Sequence, residues 1–578
     1  MPEMESYARG GKDSSKNKLV RLAEDMKRHR HDFEDLYREL QENFNPMRGN
    51  FDPTSPTNRR GKKNNSKMLN SKPRLSLRTL QSGMQAGITS PARPWFRLIP
   101  LDEGLRDRYA VKTFTNDVER ILRQYFQSTG TYNALHTSYG DIGLYGTDAA
   151  IFDEDVNDGF RLHQLKPGHY WLGSSGNGLI DTLYYEDWFT VEHIVGRFVY
   201  RGNPRNEPDW TVASKALKSL WEKGSRRELI HVARMVKPRF ERDPFVYTAD
   251  NKRFASCWWE VGSEGDQMLR NSGYDQNPII ASRWYAEGED VYGYSPAMDA
   301  LPDAKMLQQQ ERDKNEAIRR MNRPPMNAPT SMRNTPFSLV PGALNFTDDA
   351  NGVRPAYEVN PPVDAMRVDI RDTEMRIDTA MFADLFLMLA NSDRRQITAR
   401  EIDERHEEKL IGLGPVLELQ HREKLRPLIL NAYTTLLRQN RLPETPSELD
   451  GPSLTIDYIS MLAQAQKAVA TGAMERLFGF AGNLSATLPE VLDKLNGDEA
   501  LDEYADMLGT PTRVLRDDDE VAMIRQNRAQ QQQQAAQVEQ AATLAPAAKQ
   551  TADAAKVLAD ADATDSPRDV LRRIGVGI

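Results

Sequence analysis

The alternation of hydrophobic and polar residues divides the chain into a helical N-terminal part, a strand-rich middle and a helical C-terminal part. Residues 17–42, 75–90 and 104–138 repeat apolar side chains at the spacing of amphipathic helices. From about 140 to 290, aromatic and β-branched residues alternate with glycine-rich turns, which is typical of short antiparallel strands with inserted helices. The pattern predicts a mixed α+β fold that is mainly α.

A long polar helix is predicted after the strand-rich region. Ser295 suits the N-cap and Pro296 the first helical position, while Pro324 and Pro325 end the helix. Residues 308–316 contain almost no apolar side chain. A helix with so narrow an apolar face is not expected to pack inside the core of one subunit.

A second long helix is predicted from 363 to 390, and the segment between the two helices, 322–362, is rich in proline and asparagine. The two helices are therefore expected to run antiparallel, with the intervening segment as a protruding tip. Such a polar hairpin makes sense when identical copies stand side by side in a closed ring, since each copy then buries a narrow stripe on both flanks.

The remaining C-terminal pattern is helical. A short polar break precedes a helix from Thr398 to about Asn440, which a Gly-Leu-Gly-Pro sequence at 412–415 is expected to kink. Shorter helices are predicted within 450–525. The last 50 or so residues are rich in alanine and glutamine, which fits either a polar helix or a disordered tail.

The charge of the chain limits the ways in which it can meet DNA. Its 76 basic and 84 acidic residues give a formal net charge of −8, which argues against a protein that coats DNA. Residues 59–74 are the exception, because they contain basic side chains and no acidic one. This basic arm is either a solvated segment or a patch that binds phosphate or a partner. Its candidate contacts are Arg59, Arg60, Lys62, Lys63 and Lys67.

Motifs for chemistry are missing from the sequence. There is no glycine-rich phosphate loop, no His-Glu-x-x-His motif and no Gly-x-Ser-x-Gly motif, so we expect no enzyme, no cofactor and no metal site. The single cysteine, Cys257, cannot form a disulfide within the chain and is expected to be a small buried hydrophobe. No apolar run approaches the roughly 20 residues of a membrane span, and the N-terminus does not fit a signal peptide.

Four blocks of sequence, taken together and in order, resemble one known family. They are "SKPRLSLRTLQSGMQAGITSPARPWFRL" at 71–98, "DTLYYEDWFTVEHIVGRF" at 181–198, "GEDVYGYSPAMDALPDAKMLQQQERD" at 288–313 and a longer block at 398–443 that begins "TAREIDERHEEK". The chain is similar over roughly residues 70–520 to the portal proteins, or head-to-tail connectors, of short-tailed, T7-like bacteriophages. The basic arm and the alanine- and glutamine-rich tail have no counterpart in this resemblance.

The resemblance implies a division of the subunit into the parts of a portal protein. An α/β wing (1–290) would be followed by a first stem helix (291–321), a clip (322–362), a second stem helix (363–390), a channel loop (391–397), the long helix of the wing (398–450), a helical crown (451–525) and a C-terminal tail (526–578). Subunits of this kind assemble as a cyclic ring.

The resemblance also implies partners and a location. Twelve copies would form a ring at one capsid vertex, through which double-stranded DNA passes during genome packaging and ejection. The expected protein partners are the major capsid protein, scaffold, the terminase large subunit, tail adaptor and nozzle proteins, and internal core or ejection proteins. The protein would be assembled in the host cytoplasm and would reside in the virion. No membrane is expected among its partners.

Candidate site residues follow from this mapping. The channel-loop candidates are Asn391, Ser392, Asp393, Arg394, Arg395 and Gln396. The stem candidates that would line the lumen are Glu311, Lys314, Asp364, Arg367, Asp369, Arg371 and Asp372. The clip candidates for partner binding are Arg323, Arg333, Phe337 and Phe346. The two loop arginines would touch DNA phosphates transiently or pair with acidic wing residues, and the stem acids would face the lumen, solvent or neighbouring subunits.

Two other functions stay open at the level of the sequence. A non-conducting ring, such as a tail or baseplate component, would lack a channel wide enough for duplex DNA. A nucleic-acid-binding module that uses residues 59–74 would show strong, salt-sensitive affinity for DNA as an isolated subunit.

Overall fold

The structure is a computed structural model, and its description covers most of the first 460 residues. The described residues are 15–49, 51, 68–105, 108–174, 176, 178–203, 205–243, 245–263, 265–288, 290–327, 330, 333, 354–355, 362–392, 412–449, 454–459, 477–482, 484, 497 and 521–533. The chain divides into two compact units, Met1–Ala470 and Thr471–Ile578. In the second unit, residues 477–482 and 521–533 are helical.

Helices are the commonest regular elements in the described part of the first unit. They are α1 (Ser15–Phe44), α2 (Lys72–Ile88), α3 (Tyr109–Ser128), α4 (Thr131–Tyr145), α5 (Val191–Ile194), α6 (Lys215–Glu222), α7 (Pro296–Asn322), α8 (Val363–Ala380), α9 (Ala383–Ser392), α10 (Gly414–Leu419) and α11 (Arg426–Arg438). A π-helical segment, Val195–Val199, continues α5, and another, Gln420–Leu425, joins α10 to α11.

The strands form antiparallel sheets. They are β1 (Phe96–Pro100), β2 (Thr147–Asp155), β3 (Gly159–Gln164), β4 (Tyr170–Ser174), β5 (Ile180–Thr190), β6 (Leu229–Pro238), β7 (Phe254–Glu260), β8 (Arg270–Tyr274), β9 (Ile279–Arg283), β10 (Met326–Asn327), β11 (Arg354–Pro355) and β12 (Leu454–Tyr458). Five strands are ordered β4-β5-β6-β7-β8 and three are ordered β3-β2-β9, while β1 pairs with β12 and β10 with β11. The prediction of a mixed fold with a strand-rich middle is confirmed.

The five-stranded sheet is covered on both faces, so that β7 is buried along its whole length. Successive side chains of a strand point to opposite faces. Trp259 and Cys257 lie on the face that packs against α1, whereas Trp258 packs on the other face against the lobe formed by α5 and α6. Cys257 is buried, as predicted.

The main hydrophobic core lies among the helices. It joins side chains of α1, α2, α3 and α4 to the first turns of α7, to α8, and to α10 and α11. Large aromatic side chains such as Trp95, Phe126 and Tyr139 are fully buried there. Burying aromatic groups of this size is the main source of stability for such a core.

The predicted N-caps of α7 and α5 are confirmed. The Ser295 hydroxyl accepts a hydrogen bond from the backbone N–H of Met298 at 3.1 Å, and Pro296 occupies the first turn of α7. Thr190 caps α5 in the same way, by accepting from the N–H of His193. These polar side chains satisfy backbone donors that a helix start leaves unpaired.

Two of the predicted long helices are wrong because each is broken. The helix predicted over 104–138 is two helices, α3 and α4, which meet at Gly130 with φ of +70°. The helix predicted over 363–390 is likewise interrupted at Phe382, with φ of +53°, before α9 begins. Apolar periodicity continues across both breaks because both flanking helices contribute to the same core.

The prediction of short helices over 450–525 is also wrong at its start. Residues Leu454–Tyr458 are not helical but form β12, which pairs antiparallel with β1 from Phe96↔Tyr458 to Pro100↔Leu454. Their alternating pattern suits a strand that has one side against the main core, and Leu454, Ile456 and Tyr458 pack there. The start of the helix predicted from Thr398 lies outside the described residues, while its described part is helical from 414 to 438.

Candidate functional site

Helices α7 and α8 form the antiparallel hairpin on which the functional prediction rests. Gln310 donates from Nε2 to Oδ2 of Asp369 at 2.7 Å, and Arg376 donates from Nε to Oδ1 of Asp303 at 3.1 Å. The later residue of α7 pairs with the earlier residue of α8, so the two helices are antiparallel. Beyond the helix ends, β10 and β11 continue the pairing, with Met326 opposite Pro355.

The inner half of the hairpin belongs to the subunit core, which corrects one expectation. Ala300, Ala304 and Leu307 of α7 are buried, as are Ile370 and Ile377 of α8. The early apolar turns of α7 thus pack inside one subunit, although the polar second half had suggested that the whole helix could not. The apolar residues are small and few, so the hydrophobic stripe is easily missed in the sequence.

The outer half of the hairpin projects from this core. From Gln309 to Asn322, α7 has no buried residue, and most of its side chains are exposed. Ion pairs within the helix, such as Arg320 with Glu316, stabilise this half at a spacing of four residues. The polar stretch of the sequence therefore belongs to the exposed second half of α7, whose first half packs in the core.

A short segment, residues 68–72, crosses both helices where the buried half meets the exposed half, and we call it the strap. The Gln308 side chain accepts from the N–H groups of Leu69 and Asn70 at 2.7 and 2.9 Å and donates to the Asn70 carbonyl at 2.9 Å. The Asn70 amide donates to Glu311 of α7 at 3.2 Å and to Glu374 of α8 at 2.8 Å. One side chain thus links the two helices.

The stem candidates lie along this hairpin. Glu311 pairs with Lys314 at 2.6 Å, and Asp369 accepts from Gln310. Further out, Asp364 and Arg367 lie 3.8 Å apart and are both exposed. Arg371 and Asp372 are exposed as well. The structure therefore brings Glu311, Lys314 and Asp369 into contacts within the hairpin and leaves the others on its surface.

Comparison with known proteins identifies the family. The sequence profile described as bacteriophage head to tail connecting protein matches residues 16–515. The chain belongs to this family. A "Probable portal protein" of Bordetella phage BPP-1 is 38% identical over 500 residues, which cover 86% of this chain and 88% of the relative. A "Portal protein" of Salmonella phage epsilon15 is 37% identical over 525 residues, which cover 90% and 92%.

The family and its relatives confirm the portal function that the four sequence blocks indicated. Phage portal proteins are virion proteins of the head-to-tail connection, and their family names denote a structural role without indicating catalysis. Among the described residues, no group of three or more His, Cys, Asp or Glu side chains could hold a metal ion. No helix in the described part of the chain is long and apolar enough to cross a membrane.

Two of the residues predicted to form a channel loop are helical. Asn391 and Ser392 are the last residues of α9, so they are helical rather than part of a loop. The apolar run of "DLFLMLA" carries the helix on to them, whereas the polar character of both residues had suggested a break. Asp393, Arg394, Arg395 and Gln396 lie outside the described residues.

The clip and arm candidates are described only in part. Arg323 ends α7, where its N–H donates to the Arg319 carbonyl at 2.8 Å, and both Arg323 and Arg333 are exposed. Phe337 and Phe346 lie outside the described residues. So do the arm residues Arg59, Arg60, Lys62, Lys63 and Lys67.

The strap residues Asn70 and Gln308 were not predicted from the sequence. Both are common polar residues, and their contacts join positions 238 apart in the chain. Local pattern carries no signal for such a contact. The one available hint was that Gln308, at the start of the polar stretch, lies four residues after Ala304 and so shares the buried side of α7.

Proposed function

We propose that twelve copies of this chain form a closed ring at one capsid vertex, with the hairpins side by side around a channel for double-stranded DNA. The observation that carries this proposal is the hairpin itself. Its inner half is fixed in the core of the subunit, while its outer half projects with both flanks uncovered. A flank that is uncovered in one copy is available to the next copy around a ring.

The exposed flank of α8 contains apolar side chains that a neighbour would cover. Val368 and Met375 are 57% and 60% exposed and lie seven residues apart, which is two turns on one face of the helix. Single exposed apolar residues need no explanation. A pair at this spacing, on a hairpin that projects from its core, supports a narrow contact between subunits.

The charges on the outer hairpin support a channel that does not grip its DNA. Acidic Asp364 and Asp372 alternate there with basic Arg367 and Arg371. Many uncompensated arginines would bind the phosphate backbone strongly and in a salt-dependent way. Interspersed carboxylates would weaken that attraction, so that DNA could slide. Beyond α9, Arg394 and Arg395 would make the transient phosphate contacts of the channel loop.

The other parts of the subunit would meet the protein partners. The clip, residues 322–362, would bind the terminase large subunit during DNA packaging and then the tail adaptor, with the nozzle proteins beyond it. The wing would contact the major capsid protein and scaffold, and the crown would face internal core or ejection proteins. The paired strands β10 and β11 hold the two ends of the clip together and so support its role as a discrete docking unit.

Assembly of the purified protein tests the proposal. Native mass spectrometry and negative-stain microscopy, with and without scaffold protein, are expected to show a twelve-fold ring with an axial channel wide enough for duplex DNA. Val368→Asp/Met375→Asp is expected to lower the fraction of rings at least tenfold, because charged side chains would be buried between copies. Val156→Asp is the matched control, since Val156 is 87% exposed in a turn of the wing.

The outcomes separate the alternatives. Persistent monomers or small oligomers in the presence of scaffold would contradict the ring. A ring that is closed on its axis would favour a non-conducting tail or baseplate component. Equal loss of rings in the Val156→Asp variant would show that the hairpin flank has no special part in assembly.

A further inference from the structure

A cavity of about 190 Å³ opens at the surface between α2, α4 and the residues that follow α1. Its charged lining consists of three arginines and one aspartate, Arg48, Arg74, Arg78 and Asp141. Polar groups of Asn45, Gln81 and Thr137 complete much of the wall. We call this cavity the arginine pocket.

One of the three arginines is already neutralised. Arg48 donates from Nε to Oδ1 of Asp141 at 2.8 Å and from Nη2 to Oδ2 at 2.5 Å, and Asp141 is buried. Burial raises the pKa of Asp141, and the Arg48 guanidinium offsets part of that rise. The pair therefore forms a fixed wall of the pocket, with its charges balanced.

The other two arginines are not neutralised within the described part of the chain. Neither Arg74 nor Arg78 makes a hydrogen bond or an ion pair with another described residue. They lie four residues apart on α2, so their side chains are neighbours on one face, at about 5–6 Å between Cβ atoms. Two unpaired guanidinium groups thus converge on one small concave site.

We propose that the arginine pocket binds a phosphate group. Arginine is suited to this ligand because its planar guanidinium presents several N–H donors in a fork that matches two phosphate oxygens. A small-molecule site usually measures about 300–1,000 Å³, so a cavity of 190 Å³ suits a single group rather than a whole nucleotide. The phosphate can come from the backbone of DNA or from free phosphate.

The end of the basic arm also contributes to the pocket. Of the two last basic residues in the run 59–74, Lys72 pairs with Asp378 of α8, whereas Arg74 turns to the pocket. This inference does not depend on the ring or on the channel, because the pocket is built entirely from residues of one subunit.

Phosphate binding to the full-length protein tests the inference. We would titrate inorganic phosphate by calorimetry and a short DNA duplex by fluorescence anisotropy, with wild type, Arg74→Gln/Arg78→Gln and Arg74→Lys/Arg78→Lys. The control is Arg205→Gln/Arg227→Gln, which removes two exposed arginines from the wing lobe. Both pocket side chains are at least partly exposed, so the glutamine variant is expected to fold, and circular dichroism would verify this.

We expect the glutamine variant to weaken binding of the probe at least tenfold, the lysine variant to weaken it less, and the control to leave it unchanged. If free phosphate binds, the site is a phosphate site as such. If only the duplex binds, with a salt slope that falls by about two in the glutamine variant, the source is the DNA backbone. Failure of wild type to bind either probe, or an equal loss in the control, would overturn the inference.

Discussion

At the scale of single residues, the most constrained side chains lie where the π-helical segment Gln420–Leu425 meets the sheets. Lys424 is 1% exposed, and its Nζ lies 3.3 Å from Oδ1 of Asp148, which is equally buried. Next to it, Glu423 forms an ion pair with Arg283 and accepts from the Arg283 backbone N–H at 3.1 Å. Removing one partner of such a buried pair typically costs about 3–5 kcal/mol, because the other charge stays behind.

The π-helical segment buries two consecutive charged residues. A π turn contains an extra residue, and in this segment Glu423, Lys424 and Leu425 are all buried. The sequence gives no clue to this, because buried Lys and Glu read as surface residues in a hydrophobicity pattern. The helical identity of the segment could be predicted, but not which of its faces is buried.

Glu119 of α3 provides a prediction of pH dependence. It is 8% exposed and accepts from the backbone N–H of Leu98 at 2.7 Å, and burial raises its pKa from 4.5 to about 7. An unfolded chain would ionise this carboxyl near pH 4.5, so its contribution to stability is present at lower pH and is lost as the pH rises toward 7.

Glu119→Gln is expected to keep the bond to Leu98 without that loss. Compared with wild type, the variant should gain stability between pH 5 and pH 8, by an amount on the order of 3 kcal/mol. Urea unfolding across this range would measure the difference. Asp117→Asn, on the exposed side of the same helix, should show almost none. A constant difference between Glu119→Gln and wild type at all pH values would contradict the prediction.

At the scale of elements, the strap joins α2 to the hairpin. Because Asn70 donates to carboxylates on two helices, the strap fixes the hairpin where the buried half ends. Ser76 adds a second link, from its hydroxyl to Oδ1 of Asp378 at 2.6 Å. Both links lie at the core end of the outer turns of α7 and α8.

Asn70→Asp is expected to loosen this junction. The variant replaces two hydrogen bonds to carboxylates with repulsion between like charges, at a cost of about 1.5–3 kcal/mol for each bond. Hydrogen exchange should rise in 309–322 and 363–373 and stay unchanged in the five-stranded sheet. Asn133→Asp, at an exposed position near the start of α4, should leave both regions as they are. Unchanged protection of the hairpin in Asn70→Asp would show that the strap does not restrain it.

The elements also show what local pattern can and cannot predict. Helices α1 and α2 and the caps at Thr190 and Ser295 follow from periodicity and side-chain chemistry within a few residues. The breaks at Gly130 and Phe382 do not, because core packing continues across them and hides the interruption. The strand β12 was missed for a similar reason, since its partner, β1, lies more than 350 positions earlier in the chain.

At the scale of the whole molecule, the inner and outer halves of the hairpin have different roles. The inner half packs in the core of the subunit, while the outer half would offer its flanks to other copies in the proposed ring. Substitutions in the inner half of the hairpin should therefore affect folding, and substitutions in its outer half should affect assembly or DNA movement. The portal function could be predicted from the ordered sequence blocks, whereas the loop residues proposed to contact DNA stay a prediction, because residues 393–396 lie outside the described part of the chain.

The variant Arg394→Ala/Arg395→Ala tests the proposed contact between the channel loop and DNA. If these residues touch DNA phosphates in the channel, the variant should form rings as well as wild type does but should reduce packaged or retained DNA several-fold. Nuclease-protected DNA in assembled particles would measure this. Arg205→Ala/Arg227→Ala is the matched control, in the lobe formed by α5 and α6. Normal packaging and retention with the loop variant would exclude the loop as a DNA contact.

The short ladder of β10 and β11 has a consequence for how this protein can diverge. Met326 pairs with Pro355 and Asn327 with Arg354, so β10 and β11 hold together the two ends of the segment that connects them. Lengthening a loop whose ends are already joined raises its closure entropy slowly, at about 0.6 kcal/mol for each doubling. The segment between β10 and β11 can therefore accept insertions and deletions that the buried turns of α7 and α8 cannot, so its length can change without rebuilding the rest of the subunit.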